Sequence, residues 1–165
     1  MLLKDLNAIY NECIADLVSY GITPPAKKPR LIIDKCAKNR WGQAKTLGED
    51  KFIKINHRLL MDDVSDYGAT NCMMHEILHI CAPGERHGGK WAKYALSVNR
   101  ASNGKYYIKR GSTSEEYGVQ KIDDYKYHFR CKKCGTIIGR YRASKFTRNP
   151  GLYMHDGCGG TFEEV

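Results

Sequence analysis

The sequence predicts an α+β protein in two parts: a helix-containing first domain built on a small sheet, then a small C-terminal β domain. Three observations predict it. A proline-free helical stretch over residues 67–81 carries His75-Glu76-Ile77-Leu78-His79. Two segments rich in branched and aromatic residues, Arg30–Asp34 and Phe52–Ile55, read as strands ahead of it. Two Cys/His pairs, Cys131/Cys134 and His155/Cys158, mark the β domain. Asn103-Gly104 reads as a turn and divides the chain into 1–103 and 104–165. With 42 % hydrophobic content the first part sustains a core, whereas a piece of ~40 residues would be marginal without a metal.

In chain order, Leu2, Leu3, Leu6, Ile9, Tyr10, Cys13, Ile14 and Leu17 trace one helical stripe that ends near Gly21. Pro24-Pro25 opens an extended connection into the strand Arg30–Asp34, and the second strand follows at Phe52–Ile55. Ser65 or Asp66 caps the helix that carries the histidines, and Pro83-Gly84 stops it. Met73, Ile77 and Ile80 make an apolar i, i+4, i+7 row on its other face. A second amphipathic helix runs from Trp91 to Arg100, with Trp91, Ala95 and Val98 sharing a face. No internal repeat or low-complexity segment interrupts this order.

His75 and His79 stand four apart, so on a helix their imidazoles stack on one face with Cβ atoms about 6 Å apart, the reach needed to grip one ion. Glu76 lies roughly 100° around the helix, beside the metal and free to act on water. A zinc site with an open position needs a third protein donor soon after. Glu85 and His87 both qualify by position, and His87 is favoured: imidazole suits zinc, and Gly88-Gly89 lets the backbone aim it. Zinc held by His75, His79 and His87 would lower the pKa of a bound water and polarise a carbonyl, with Glu76 taking and returning the proton.

Cys131-Lys132-Lys133-Cys134 and His155-Asp156-Gly157-Cys158 repeat one spacing. Three thiolates and one imidazole make a closed tetrahedral set, the kind that holds structural zinc, and Gly135 and Gly159-Gly160 permit the turns behind each pair. The remaining cysteines are Cys13, Cys36, Cys72 and Cys81. Cys72, one turn before His75, is expected to be a buried packing residue rather than an extra ligand. Seven cysteines without an apolar leader predict a reducing, cytoplasmic setting. No stretch approaches the ~18 apolar residues of a membrane span.

Between Lys105 and Arg148 the chain has 12 Lys/Arg against 4 Asp/Glu, a local net of +8 beside +9 for the whole. Tyr106, Tyr107, Tyr117, Tyr125, Tyr127, Phe129, Tyr141 and Phe146 interleave with those charges. Cations neutralise phosphates and aromatic faces accept unstacked bases, so the combination suits DNA, single-stranded in preference. The residues expected to carry it are Lys126, Arg130, Lys132, Lys133, Arg140 and Arg142, with Tyr127 and Tyr141 stacking on bases.

A helix bearing His-Glu-x-x-His, a short connection, then His87-Gly88-Gly89-Lys90-Trp91 opening another helix resembles the SprT-like family, which includes the Spartan DNA–protein-crosslink proteases. Arg40-Trp41-Gly42-Gln43-Ala44, Phe52-Ile53-Lys54-Ile55-Asn56 and Leu59-Leu60 are similar to that family's strand segment, and the C-terminal Cys/His pairs to its zinc ribbon. The resemblance spans nearly the whole chain. Two departures stand out: the loop between His79 and His87 is shorter than in Spartan-type members, and the second ribbon pair reads His-x-x-Cys where the family more often has Cys-x-x-Cys. The resemblance implies a zincin-like metalloprotease domain, one catalytic and one structural zinc, and a protein substrate associated with or crosslinked to DNA. A different class remains open, a zinc-stabilised nucleic-acid-binding or regulatory protein with little peptidase activity; Glu76, which a purely structural site has no use for, favours the enzyme. A cell-wall peptidase would fit the motif but not the missing secretion signal.

Overall fold

The computed structural model describes residues 3–37, 39–119 and 125–165. The chain is mixed α and β, with two small sheets, and it divides into two compact units, Met1–Gln120 and Lys121–Val165. Each unit has its own buried cluster.

The first unit begins with α1 (Leu6–Ser19), whose amino end is closed by Asp5: the carboxylate accepts from the Asn7 N–H at 2.8 Å. Leu6, Ile9, Tyr10, Cys13 and Leu17 are buried, as the stripe requires. The helix starts later than the stripe because Leu3 forms an antiparallel bridge with Met61 instead; Leu2 lies outside the described residues. β1 (Arg30–Asp34) pairs parallel with β3 (Asp50–Asn56), which pairs antiparallel with β2 (Gly42–Leu47), giving the order β1-β3-β2. A two-residue turn, with Gly48 at φ +59°, joins β2 to β3. Ile53 and Ile55 face the helices and are fully buried, while Phe52 and Lys54, on the alternate face, are half-buried.

α2 (Asp66–Cys81) is the central element. It packs against α1, α3, β2 and β3, and Met73, Ile77 and Ile80 lie in the core as their spacing predicts. Ser65 occupies the capping position without a side-chain bond. α3 (Gly89–Ala101) buries Trp91, Ala95 and Val98 on one face.

The unit does not end at the Asn103-Gly104 turn, although both residues adopt positive φ there (49° and 87°). Tyr106, Ile108, Tyr117 and Val119 are buried in the same core as α1–α3, so the division of the chain falls at 120/121 rather than 103/104. Specific bonds fix this return segment. The Asn71 side chain both donates to the Tyr107 carbonyl (3.2 Å) and accepts from its N–H (3.0 Å), and Asn99 does the same for Ile108 (2.8 and 2.5 Å). Tyr106 donates to Asp16 at 2.6 Å, and Lys105 bridges Glu12 and Asp16 on α1 at 2.6 Å each.

In the second unit β4 (Tyr127–Cys131), β5 (Ile137–Arg140) and β6 (Phe162–Glu164) form an antiparallel sheet in the order β5-β4-β6. A one-turn helix, α4 (Lys145–Arg148), is closed by reciprocal bonds between Ser144 and Thr147. Among the described residues the fully enclosed apolar cluster is Phe129, Cys131 and Phe162, with Phe146 packed edge-on to both phenyl rings. So small a core matches the expectation that this piece needs another source of stability. No helix among the described residues is long and apolar enough to cross a membrane.

Candidate functional site

α2 presents His75 and His79 on one face, and the turn before α3 brings His87 to them. The three Nε2 atoms form a nearly equilateral triangle of 3.3, 3.2 and 3.1 Å. Tetrahedral metal–nitrogen bonds of about 2.0–2.1 Å place donors roughly 3.3–3.4 Å apart, so this triangle is one face of such a set. Burial lowers all three imidazoles, His75 to about 4, which keeps their lone pairs free. Backbone carbonyls of Lys109 and Glu85 accept from the rings of His75 and His79 and orient them. Three neutral imidazoles aiming lone pairs at one point repel one another unless a cation sits between them. The donors therefore fit a metal ion, and His75, His79 and His87 can hold one.

Trp91 packs against all three rings, with centroids 4.7–5.2 Å away, and is itself buried. Glu85, the alternative third donor, is engaged elsewhere: its carboxylate accepts from the Trp91 N–H at 3.2 Å and caps the start of α3. Gly89, at φ +49°, leaves room for that carboxylate; an added Cβ would lie 2.2 Å from its Oε2.

Glu76 lies against β2, lines the same cleft as the three histidines and is buried, with 6 % of its surface exposed. Burial pushes its carboxyl up to about 7, while the Ala44 N–H and the Arg40 guanidinium pull the other way. β2 crosses directly over it. A Cβ on Gly42 would lie 2.6 Å from Glu76 Oε1 and 2.7 Å from Cys72 Sγ, so only glycine fits at that crossing. Cys72 is buried beside Glu76, outside the imidazole donor set, and its thiol is pushed up by burial.

β2 is the edge of its sheet. The Trp41 carbonyl accepts from Asn56 while the Ala44 N–H turns outward to Glu76, so by strand alternation Gly42, Ala44 and Thr46 direct their backbone groups to the cleft. The cleft encloses about 850 Å³ over the three histidines. Arg110-Gly111-Ser112 also lines the cleft, anchored where Trp41 Nε1 donates to the Ser112 carbonyl at 3.0 Å.

Compared with known proteins, the chain matches no family model and no curated protein. The functional reading therefore rests on the residues and their geometry.

In the second unit Cys131, Cys134, His155 and Cys158 converge. The sulfurs of Cys131 and Cys158 are 3.4 Å apart, and His155 Nδ1 lies 3.2 and 3.3 Å from those of Cys134 and Cys158. The four donor atoms lie within 4.8 Å of one another and can hold a metal ion. Bonds from Thr136 bring the Cys134 thiol down to about 6, and backbone N–H groups of Cys134 and Lys133 lower Cys131, both favouring thiolate. Gly160 lets the second pair close on the first: an added Cβ would lie 2.7 Å from Cys131 Sγ.

The residues expected to meet DNA fare unevenly. Lys126, Lys132, Arg142 and Tyr141 are exposed. Lys126 sits over the half-buried Tyr127 ring at 5.4 Å, and Tyr141 packs against Tyr125 at 4.6 Å. Arg130 is bound to Glu163 by two nitrogens, at 3.1 and 2.7 Å, across the β4–β6 pair. Lys133 donates to the Cys158 carbonyl and Arg140 lies over Phe146. Tyr106, Tyr117 and Phe129 are core residues, not an exposed stacking surface. Nor is the charge confined to the second unit: Lys121–Val165 carries 9 Lys/Arg against 5 Asp/Glu, a net of +4, leaving +5 for the first unit.

Sequence reasoning missed β2 as an element and, with it, the contact of Gly42 and Ala44 with Glu76. It also missed the clamps made by Asn71 and Asn99 and the wall at Arg110–Ser112. The resemblance of the Trp41-Gly42-Gln43-Ala44 segment was the one signal available for the first of these.

Proposed function

We propose that the chain is a zinc-dependent metallopeptidase of SprT-like type, with a zincin-like catalytic unit and a zinc ribbon, acting on proteins bound or crosslinked to DNA in the cytoplasm. The observation that carries this reading is the pairing of three convergent imidazoles with a buried, non-ligating carboxylate in a cleft bordered by an edge strand. A wholly structural metal site needs a fourth protein donor, and among the described residues none completes the imidazole set.

Zinc at His75, His79 and His87 would supply a Lewis acid and a water of lowered pKa. The outward backbone groups of Gly42 and Thr46 suit an extended peptide added alongside β2, while the Ala44 N–H holds Glu76. Glu76, poised near neutrality, takes the proton of the attacking water and returns it to the leaving amine. Nothing in that exchange requires Glu76 to touch the metal. Trp91 holds the imidazoles in place and keeps bulk water from their backs. In the second unit, Cys131, Cys134, His155 and Cys158 close a structural zinc site.

Exposed cations at Lys126, Lys132 and Arg142, with Tyr141 exposed next to Arg142, support binding of single-stranded DNA by this unit. Seven free cysteines suit a reducing compartment. The test is incubation of the metal-loaded protein with a protein crosslinked to single-stranded DNA, the same protein crosslinked to duplex, and the free protein. Cleavage of the single-strand conjugate in preference to the others supports the reading. Binding of DNA with no cleavage of any substrate would support a nucleic-acid-binding protein instead.

A further inference from the structure

The cleft carries charges that the proposed chemistry does not use. Arg40, Arg86 and Arg110 line it, against the acids Glu76 and Glu85. Most of these have partners. Arg40 pairs with Asp34 at 3.1 Å, Glu85 caps α3, and Glu76 is enclosed under β2. Arg86 and Arg110 are exposed and have no ion-pair partner among the described residues. Their neighbour Lys109, by contrast, is bound to Glu116.

The position of Arg110 is rigidly set. Asn71 and Asn99 clamp the backbone at Tyr107 and Ile108 with two hydrogen bonds each. Trp41 holds it again at Ser112. An arginine between those anchors delivers its charge to the cleft at little cost in backbone freedom. Arg86 adjoins His87 in the chain, and both Arg86 and Arg110 line the same cleft as the three imidazoles.

We propose that this cleft selects acidic peptides, with Arg86 and Arg110 pairing with Asp or Glu side chains next to the peptide bond held over His75, His79 and His87. The inference rests on the peptidase reading above and names its substrate class. A carboxylate-bearing peptide suits the site better than a nucleic acid does. The strand edge offers backbone groups at peptide spacing, and of the aromatic rings lining the cleft Tyr117 is buried and packs edge-to-face with Trp41.

The experiment uses full-length, metal-loaded protein with Glu76→Gln, so that binding is read without turnover. Fluorescence anisotropy compares three labelled peptides of one length whose flanking residues are Glu, Gln or Lys, with a thymidine oligonucleotide as competitor. Two partly exposed charge pairs should favour the Glu peptide over the Gln peptide by about tenfold, and more over the Lys peptide. Combining Glu76→Gln with Arg86→Glu and Arg110→Glu should invert the order, with metal content and melting temperature confirming the fold. Equal affinities, or an order that survives the charge reversal, would overturn the inference. So would an oligonucleotide that displaces the Glu peptide through the same two arginines. If wild-type protein cleaves no peptide while the preference and its inversion persist, the acidic-peptide cleft stands and the peptidase reading falls.

Discussion

Gly42→Ala isolates the contact that positions Glu76 without touching a metal donor. The new methyl would start 2.6 Å from Glu76 Oε1, 2.8 Å from Glu76 Cγ and 2.7 Å from Cys72 Sγ, whereas ordinary contact begins at 3.4 Å. Either the carboxylate or the β2 edge must therefore retreat by about 0.8 Å, the difference between 3.4 and 2.6 Å. The carboxylate end alone cannot absorb this, because Cγ and the buried sulfur are crowded by the same methyl and Glu76 has only 6 % of its surface exposed. Overpacking of that kind costs roughly 1–3 kcal/mol, a loss of several degrees in melting temperature. Displacing a general base by nearly an ångström lowers turnover by about 10²-fold. Metal content should stay at the wild-type level, since none of the crowded atoms is a proposed ligand. Differential scanning calorimetry, metal analysis and peptide cleavage on the same preparation check all three. A Gly42→Ala protein that melts and cleaves like wild type would refute the placement of β2 over Glu76.

Three further outcomes follow from the same geometry. His87→Ala should strip metal from the first unit, while Glu85→Ala should keep the metal and cost about 1 kcal/mol from the lost cap on α3; equilibrium dialysis and thermal melting separate the two. A strong chelator should unfold residues 125–165 while the first unit retains its helical signal, because the enclosed core among these described residues is only Phe129, Cys131 and Phe162; amide exchange resolved by segment reads this directly. Asp16→Asn should destabilise the protein at neutral pH but not in acid. Burial opposes the charge on Asp16, but bonds from Lys105 and Tyr106 outweigh it and hold the carboxyl below its ordinary value. That contribution is present above the unfolded value of about 4 and is lost as pH falls through the lower folded one, so the two proteins' melting curves should converge below about pH 4.

The helix of His75 and His79 could be read from sequence because three signals coincided: an apolar row at Met73, Ile77 and Ile80, a proline-free run, and a Pro83-Gly84 stop. His87 over Glu85 was also within reach, from ligand chemistry and two glycines, though not the reason Glu85 is unavailable. β2 is not legible because Gly-Gln-Ala-Lys-Thr-Leu shows no apolar alternation and only one β-branched residue, Thr46; its conformation comes from pairing with β3. The return segment was assigned to the wrong part of the chain for a similar reason. Its Lys and Tyr content resembles the basic region that follows, and the bonds that attach it, from Asn71 and Asn99, come from 36 and 9 residues away. Composition counts charges without showing which are paired, so it does not reveal that the β4–β6 register places Glu163 opposite Arg130.

The central claim is that three histidines hold a metal for a reaction in which Glu76 moves the proton. Its most direct test compares wild type with Glu76→Gln at equal, measured zinc loading, following cleavage of an unfolded protein substrate. The account predicts about two zinc ions per chain in both proteins and a loss of at least 10²-fold in cleavage for Glu76→Gln. Equal cleavage by the two proteins, or no cleavage by wild type with both sites filled, would contradict it.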